Sequence, residues 1–271
     1  MEVCRFVRIL LTDDDRRQGV SPNTFARARV LGERNRPGDK AVLEQVLDVF
    51  RLVESNPDQA ADVCLTIRVL AVNDPICQDI SKIGGTELLV QGISRHLEHA
   101  RFCQFACVAL KMISNNDANK KLLSENGGIN AVLMALGTHA DVVQVQQQGV
   151  AALSSMTLRQ PKNCTAIAAM HGVNTVVNAM TRHPNAAEVQ RSSCLLIRNL
   201  VSRNPELVEG IVQAGAGELI QLARETHAVC DDVAFSALRD LGLGGRYKDE
   251  RSAKNKPPLN FSQSMVPAED I

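Results

Sequence analysis

The stretch ISKIGGTELL, residues 80–89, decides the fold, because it returns three more times along the chain. Its counterparts are LSENGGINAV from Leu123, IAAMHGVNTV from Ile167 and IVQAGAGELI from Ile211. The equivalent positions are Gly85, Gly128, Gly172 and Ala216, separated by 43, 44 and 44 residues. Self-similarity at a fixed period of this size marks a repeat architecture, in which each unit buries its apolar face only against its neighbours.

A second landmark follows each of the first three by 25 residues: VALKMIS, AALSSMT and LLIRNLV, anchored on Leu110, Leu153 and Ile197. SALRDLG, anchored on Leu238, arrives slightly early; CLTIRVLAV puts Ile67 at the same place, and CRFVRILL puts Val7 there. Three residues beyond each anchor stands another apolar side chain: Leu10, Leu70, Ile113, Met156, Leu200 and Leu241. Apolar residues at i and i+3 define one buried helical face.

Each unit reads as three helices. A short first helix is expected to start at Asp74-Pro75 or Asn204-Pro205, with the polar side chain as cap and proline in the first turn. A glycine corner such as Gly84-Gly85 ends it, and a second helix (TELLVQGI, INAVLMAL, VNTVVNAM, GELIQLAR) leads to the third, which carries the anchor. No segment alternates with period two, so the fold class is all-α.

Helical units of about 40 to 47 residues have the length of armadillo or HEAT repeats. The IxxxGG corner and the A/C-x-x-L-x-N/D-L third helix resemble the armadillo family across nearly all of residues 1–245. EVQRSSCLLIRNLV (188–201), CDDVAFSALRDLG (230–242) and LLTDDDRR (10–17) are similar to the C-terminal part of the armadillo repeat-containing protein six family. This resemblance implies a right-handed superhelical solenoid with no assigned catalytic activity, and further N-terminal sequence. The expected organisation is a solenoid of about five repeats over 1–245, the first incomplete, and a flexible polar tail over 246–271. A helix is expected at Ser21–Glu33. The apolar start at Phe6, Val7, Ile9 and Leu10 predicts that the chain is a fragment or that this end packs on a partner.

The resemblance also implies that residues just after the anchor face a concave groove. Position anchor plus one reads Arg8, Arg68, Lys111, Ser154, Arg198 and Arg239; anchor plus two reads Ile9, Val69, Met112, Ser155, Asn199 and Asp240. Five of the first six are basic, so stacked third helices, about 8–10 Å apart, would present a row of cations. Such a row suits an acidic, extended peptide; the competing reading is pairing of these cations with acids of neighbouring repeats, each worth about 0–1 kcal/mol. Armadillo proteins that carry nuclear-import cargo use asparagines and tryptophans on this face. Here one asparagine matches and there is no tryptophan, which argues against binding a basic import signal. The residues marked out for partner binding are Arg8, Arg68, Lys111, Ser155, Arg198, Asn199, Arg239 and Asp240.

The 30 basic and 30 acidic residues cancel, so no overall field draws the 271-residue chain to nucleic acid or an anionic membrane. The apolar runs are too short for a membrane helix or a secretory signal, and eight cysteines without any CxxC pair read as reduced thiols in a cytosolic protein. Entry to the nucleus is compatible with this reading. Cys4, Cys64, Cys107 and Cys194 share one repeat position with Val150 and Phe235, which reads as core filling. His96, His99 and Cys103 have zinc-ligand spacing on a continuous helix, but the repeat register breaks the helix between them; the other histidines read as scattered, with His171 structural at a corner. GERNRPGDK, from Gly32, lacks the groups of a phosphate loop, GLGG at Gly242 reads as a helix stop, and no nucleophile with its base comes together. The expectation is a non-catalytic protein-interaction scaffold without cofactor or metal. The alternatives are a structural subunit of a larger assembly, for instance cytoskeletal, and an RNA-binding solenoid, the last disfavoured by one tyrosine and no tryptophan for stacking.

Overall fold

The computed structural model of the protein describes Cys4 and residues 39–71 and 74–244. The segments carrying Arg8, the helix at Ser21–Glu33, Gly32 and the tail 246–271 lie outside the described residues. Fourteen α-helices follow one another with no strand among the described residues. In chain order they are α1 (Asp39–Leu52), α2 (Pro57–Leu70), α3 (Asp74–Lys82), α4 (Gly85–Arg95), α5 (Ala100–Ile113), α6 (Asp117–Glu125) and α7 (Gly128–Thr138). Then come α8 (Val143–Thr157), α9 (Pro161–Ala169), α10 (Gly172–Arg182), α11 (Ala187–Val201), α12 (Val208–Gln213), α13 (Ala216–Thr226) and α14 (Asp231–Asp240).

Four three-helix units, α3–α5, α6–α8, α9–α11 and α12–α14, thus follow the pair α1–α2. Third helices α2, α5, α8, α11 and α14 pack on one another in sequence and form the most extensive inter-unit layer; α4, α7, α10 and α13 form a looser second layer. Anchors Ile67, Leu110, Leu153, Ile197 and Leu238 and followers Leu70, Ile113, Met156, Leu200 and Leu241 are all buried. Truncating any one to alanine costs about 2–5 kcal/mol, because the close-packed neighbours relax only partly around the void.

The corner repeats as geometry. The residue before each second helix is left-handed, with φ 88° at Gly84, 78° at Gly127, 58° at His171 and 82° at Gly215. Three are glycine, which takes that region without penalty; His171 occupies it with a side chain. The glycine that follows is required by proximity, since a Cβ on Gly85 or Gly128 would stand 2.8 or 2.7 Å from the carbonyl oxygen of Ile80 or Leu123. After α14, Gly242 at φ 74° stops the helix: Leu243 N–H donates to Leu238 O and Gly242 N–H to Arg239 O, the double bond pattern of a Schellman end.

Two capping expectations are corrected. Asn204 does not cap forward; its amide donates back to Leu200 O at 3.1 Å and so closes the end of α11, while a 3₁₀ turn over Pro205–Leu207 precedes α12. Asp74 is the first residue of α3, where its charge favours the positive helix end. Side-chain caps instead come from Asn56, His99 and Asn116, which accept from backbone N–H groups of α2, α5 and α6.

All eight cysteines are free and buried. Cys64, Cys107 and Cys194 fill the core with Val150, as expected, but Phe235 does not: it is 45% exposed, its ring under the Arg224 guanidinium at 5.3 Å. Burial pushes the Cys77 and Cys103 thiols up to about 11 and Cys194 to about 12, so these groups stay protonated and unreactive at neutral pH.

Candidate protein-interaction face

On each third helix the anchor and follower point inward, so residues one and two after the anchor emerge on the opposite side. Arg68 is exposed; Lys111, Ser154, Ser155, Arg198 and Asn199 are half-buried; Arg239 is exposed beside half-buried Asp240. Helical periodicity in α2, α5, α8, α11 and α14, together with their packing in sequence, brings these positions into one row. Arg8 lies outside the described residues.

The row is not uniform. At one end, Arg198 Nε lies 3.4 Å from Asp240 Oδ2 and Arg239 Nη2 lies 2.7 Å from Asp240 Oδ1, so one carboxylate engages both guanidinium groups. Asn199 spends its amide on the preceding third helix, donating to Ser154 O at 3.0 Å and Thr157 Oγ1 at 3.3 Å. The middle helix α8 is uncharged on this side, with Gln148, Ala151, Ser154 and Ser155. At the other end, Arg68 and Lys111 have no ion-pair partner among the described residues. For Arg198 and Arg239, then, internal pairing prevails over an open row of cations; for Arg68 and Lys111 it does not.

Histidines that read as scattered are the clearest omission from the sequence reading. His96, His139, His183 and His227 each close a second helix as its C-terminal cap residue. In each the ring Nε2 lies 2.7 Å from a backbone carbonyl one unit earlier: Glu54, Leu97, Ala140 and Pro184 respectively. A carbonyl only accepts, so Nε2 carries the proton and donates. Every unit is thereby tied to its predecessor by the same bond. The signal was present: the four stand 43, 44 and 44 residues apart, each eleven residues after Gly85, Gly128, Gly172 or Ala216.

The zinc-like trio is used up locally. His96 makes the bond just described, His99 Nδ1 accepts from Phe102 N–H at 3.2 Å, and the Cys103 thiol faces Leu97 O at 3.4 Å. No cluster of three metal-ligating side chains occurs among the described residues, and no described helix is long and apolar enough to cross a membrane. Further cross-unit ties are Arg101 to Asp58 and Asp62 at 3.2 and 2.8 Å, Arg95 to Glu54 at 2.6 Å, and Arg182 to Asp141. A pocket of about 100 Å³ lies where α8 ends beside α11, lined among others by Arg159, Asn199 and Arg203.

Stacked three-helix units with this corner and this third-helix layer form an armadillo-repeat fold. Among solved structures, an engineered protein superposes with a TM-score of 0.65 at 22% identity, covering 90% of this chain and 98% of that one. A designed armadillo repeat protein superposes with a TM-score of 0.61 at 15% identity, covering 79% and 98%. In sequence, the chain is similar to armadillo repeat-containing protein 6 of Homo sapiens, 30% identical over 174 residues, and to its homolog in Drosophila melanogaster, 26% identical over 165 residues. Each match covers 61% of this chain and 34% of the relative, so the chain spans about a third of the length of these relatives. No family model matches it.

Proposed function

We propose that this chain is a non-catalytic interaction scaffold that receives an acidic segment of a partner protein along its third-helix face. The observation that carries the reading is that exposed Arg68 and half-buried Lys111 stand on neighbouring third helices without ion-pair partners among the described residues. Since neither cation is engaged by a described carboxylate, a partner carboxylate displaces no described protein acid when it binds. The extended layer of third helices supplies length for a multi-residue contact, and the one hydroxyl-bearing helix, α8, between charged helices on either side supplies register. The residues at the far end contribute differently: Arg198 and Arg239 present a guanidinium–carboxylate cluster with Asp240, and Asn199 braces α11 against α8.

The test is affinity purification from the native source with the full chain and a variant carrying Arg68→Glu, Lys111→Glu and Arg239→Glu. The recovered proteins should change, with acidic partners lost and the variant's thermal melt within a few degrees of the parent. An unchanged set of partners would sink the reading. Retention of mixed RNA at low salt by the parent and not by the variant would favour the RNA-binding alternative instead.

A further inference from the structure

The third-helix face differs from end to end in more than charge. On the helices that carry Arg68 and Lys111, α2 and α5, the apolar residues Leu65, Val69, Phe105 and Met112 are half-buried and Val108 is 8% exposed; helical periodicity sets them on the side opposite the anchors. The corresponding places on α8 are Gln148, Ala151 and Ser155, which offer hydrogen bonds but little apolar area. Phe105 is held from one side by the Arg101 guanidinium, 5.4 Å from the ring centroid, and Arg101 is itself fixed by Asp58 and Asp62. A ring clamped in this way contributes contact area without the entropy loss of ordering it on binding. Buried aromatic and aliphatic anchors with a charged border are the features that concentrate binding energy in an interface.

Resting on the scaffold reading above, we infer that recognition is confined to the α2–α5 end, where an extended partner segment sets a large apolar side chain against Phe105 and Met112 and carboxylates against Arg68 and Lys111. Charge complementarity identifies this occupant. A basic segment is repelled by two open cations, and a wholly apolar one leaves them uncompensated. At the α11–α14 end, an incoming carboxylate meets Asp240 as well as the arginines that Asp240 engages, so attraction and repulsion oppose each other. Neighbouring helices about 8–10 Å apart match about two to three residues of extended chain at ~3.3 Å each. The recognised segment therefore carries two acidic residues about that far apart, with an apolar residue between or beside them.

The experiment selects binders to the immobilised full chain from a display library of random twelve-residue peptides, then measures the enriched peptides by fluorescence anisotropy. Acidic residues around a bulky apolar one should be enriched. Arg68→Glu with Lys111→Glu, and separately Phe105→Ala, should weaken binding tenfold or more, raising the salt concentration should weaken it further, and the surface control Lys162→Glu should not alter it. The pair Arg198→Gln with Arg239→Gln should have a several-fold smaller effect than the Arg68 and Lys111 pair. Greater loss at Arg198 and Arg239 overturns the placement while leaving the scaffold reading standing. Loss at neither pair, enrichment of non-acidic peptides, or no enrichment overturns both. Self-association of the parent that Arg68→Glu with Lys111→Glu abolishes would assign the face to a second copy of the chain and overturn the inference.

Discussion

Replacing His139 by alanine probes the bond that repeats along the solenoid. His139 is 8% exposed, and its Nε2 donates to Leu97 O at 2.7 Å, one unit back. Once the imidazole is removed, that carbonyl keeps only the Cys103 thiol at 3.4 Å, a weak donor. A fully buried acceptor left without its partner costs about 1–3 kcal/mol; the bond to Leu97 O is part-buried and the thiol contact remains, which places the expected loss at about 1–2 kcal/mol, roughly a 5- to 30-fold fall in the folded-to-unfolded ratio. His227 makes the same bond to Pro184 O, but in an exposed setting where water replaces the donor, so His227→Ala should cost under about 1 kcal/mol. Urea unfolding of both variants, followed by circular dichroism at constant pH, reads the difference. Equal losses, or no loss at His139, would refute the view that the histidine bond stabilises the stack in proportion to its shielding from water.

Three other outcomes follow from single sites. Ser193, fully buried in α11, has a hydroxyl with no hydrogen-bond partner among the described residues, and the same repeat position holds Ala106 and Ala234; Ser193→Ala should raise stability by about 1 kcal/mol, and a lower urea midpoint would contradict this. The Asp117 carboxyl is held below the usual carboxylate range, first by its hydrogen bond from the Lys120 ammonium, 2.7 Å away, and also by Arg159. A lowered folded-state value means stabilisation above about pH 4 that disappears as pH falls through that lowered value. Asp117→Asn should therefore be destabilised at pH 7, with the gap to the parent closing in acid; a gap independent of pH would exclude the charge interaction as its cause. The seven cysteines from Cys64 to Cys230 are buried, with their described thiol shifts upward, so a thiol reagent such as Ellman's should label them at pH 8 only as the protein unfolds; labelling of two or more within seconds would show the core to be open.

The sequence by itself determined the repeat, its period, the three helices of each unit and the inward residues of the third. A solenoid makes these legible, because one unit's burial pattern is imposed again on the next and recurs at constant spacing, as at Ile67, Leu110, Leu153, Ile197 and Leu238. The histidines obeyed the same rule and were as legible as Gly85 and Gly128; a polar residue recurring at the repeat period signals a bond between units. Tertiary structure alone decided which cations are open. Arg68, Lys111, Arg198 and Arg239 occupy one repeat position, but whether each meets an acid depends on where side chains of its own and the adjacent unit lie, as Asp240 does at 2.7 Å from Arg239 and 3.4 Å from Arg198, and charge patterns do not specify that. Asp240 engages two of the four, Asp58 and Asp62 hold Arg101 over Phe105, and Phe235 lies outside the core against Arg224. Periodicity fixes where a side chain emerges; only its three-dimensional neighbours determine whether it still has a charge to offer.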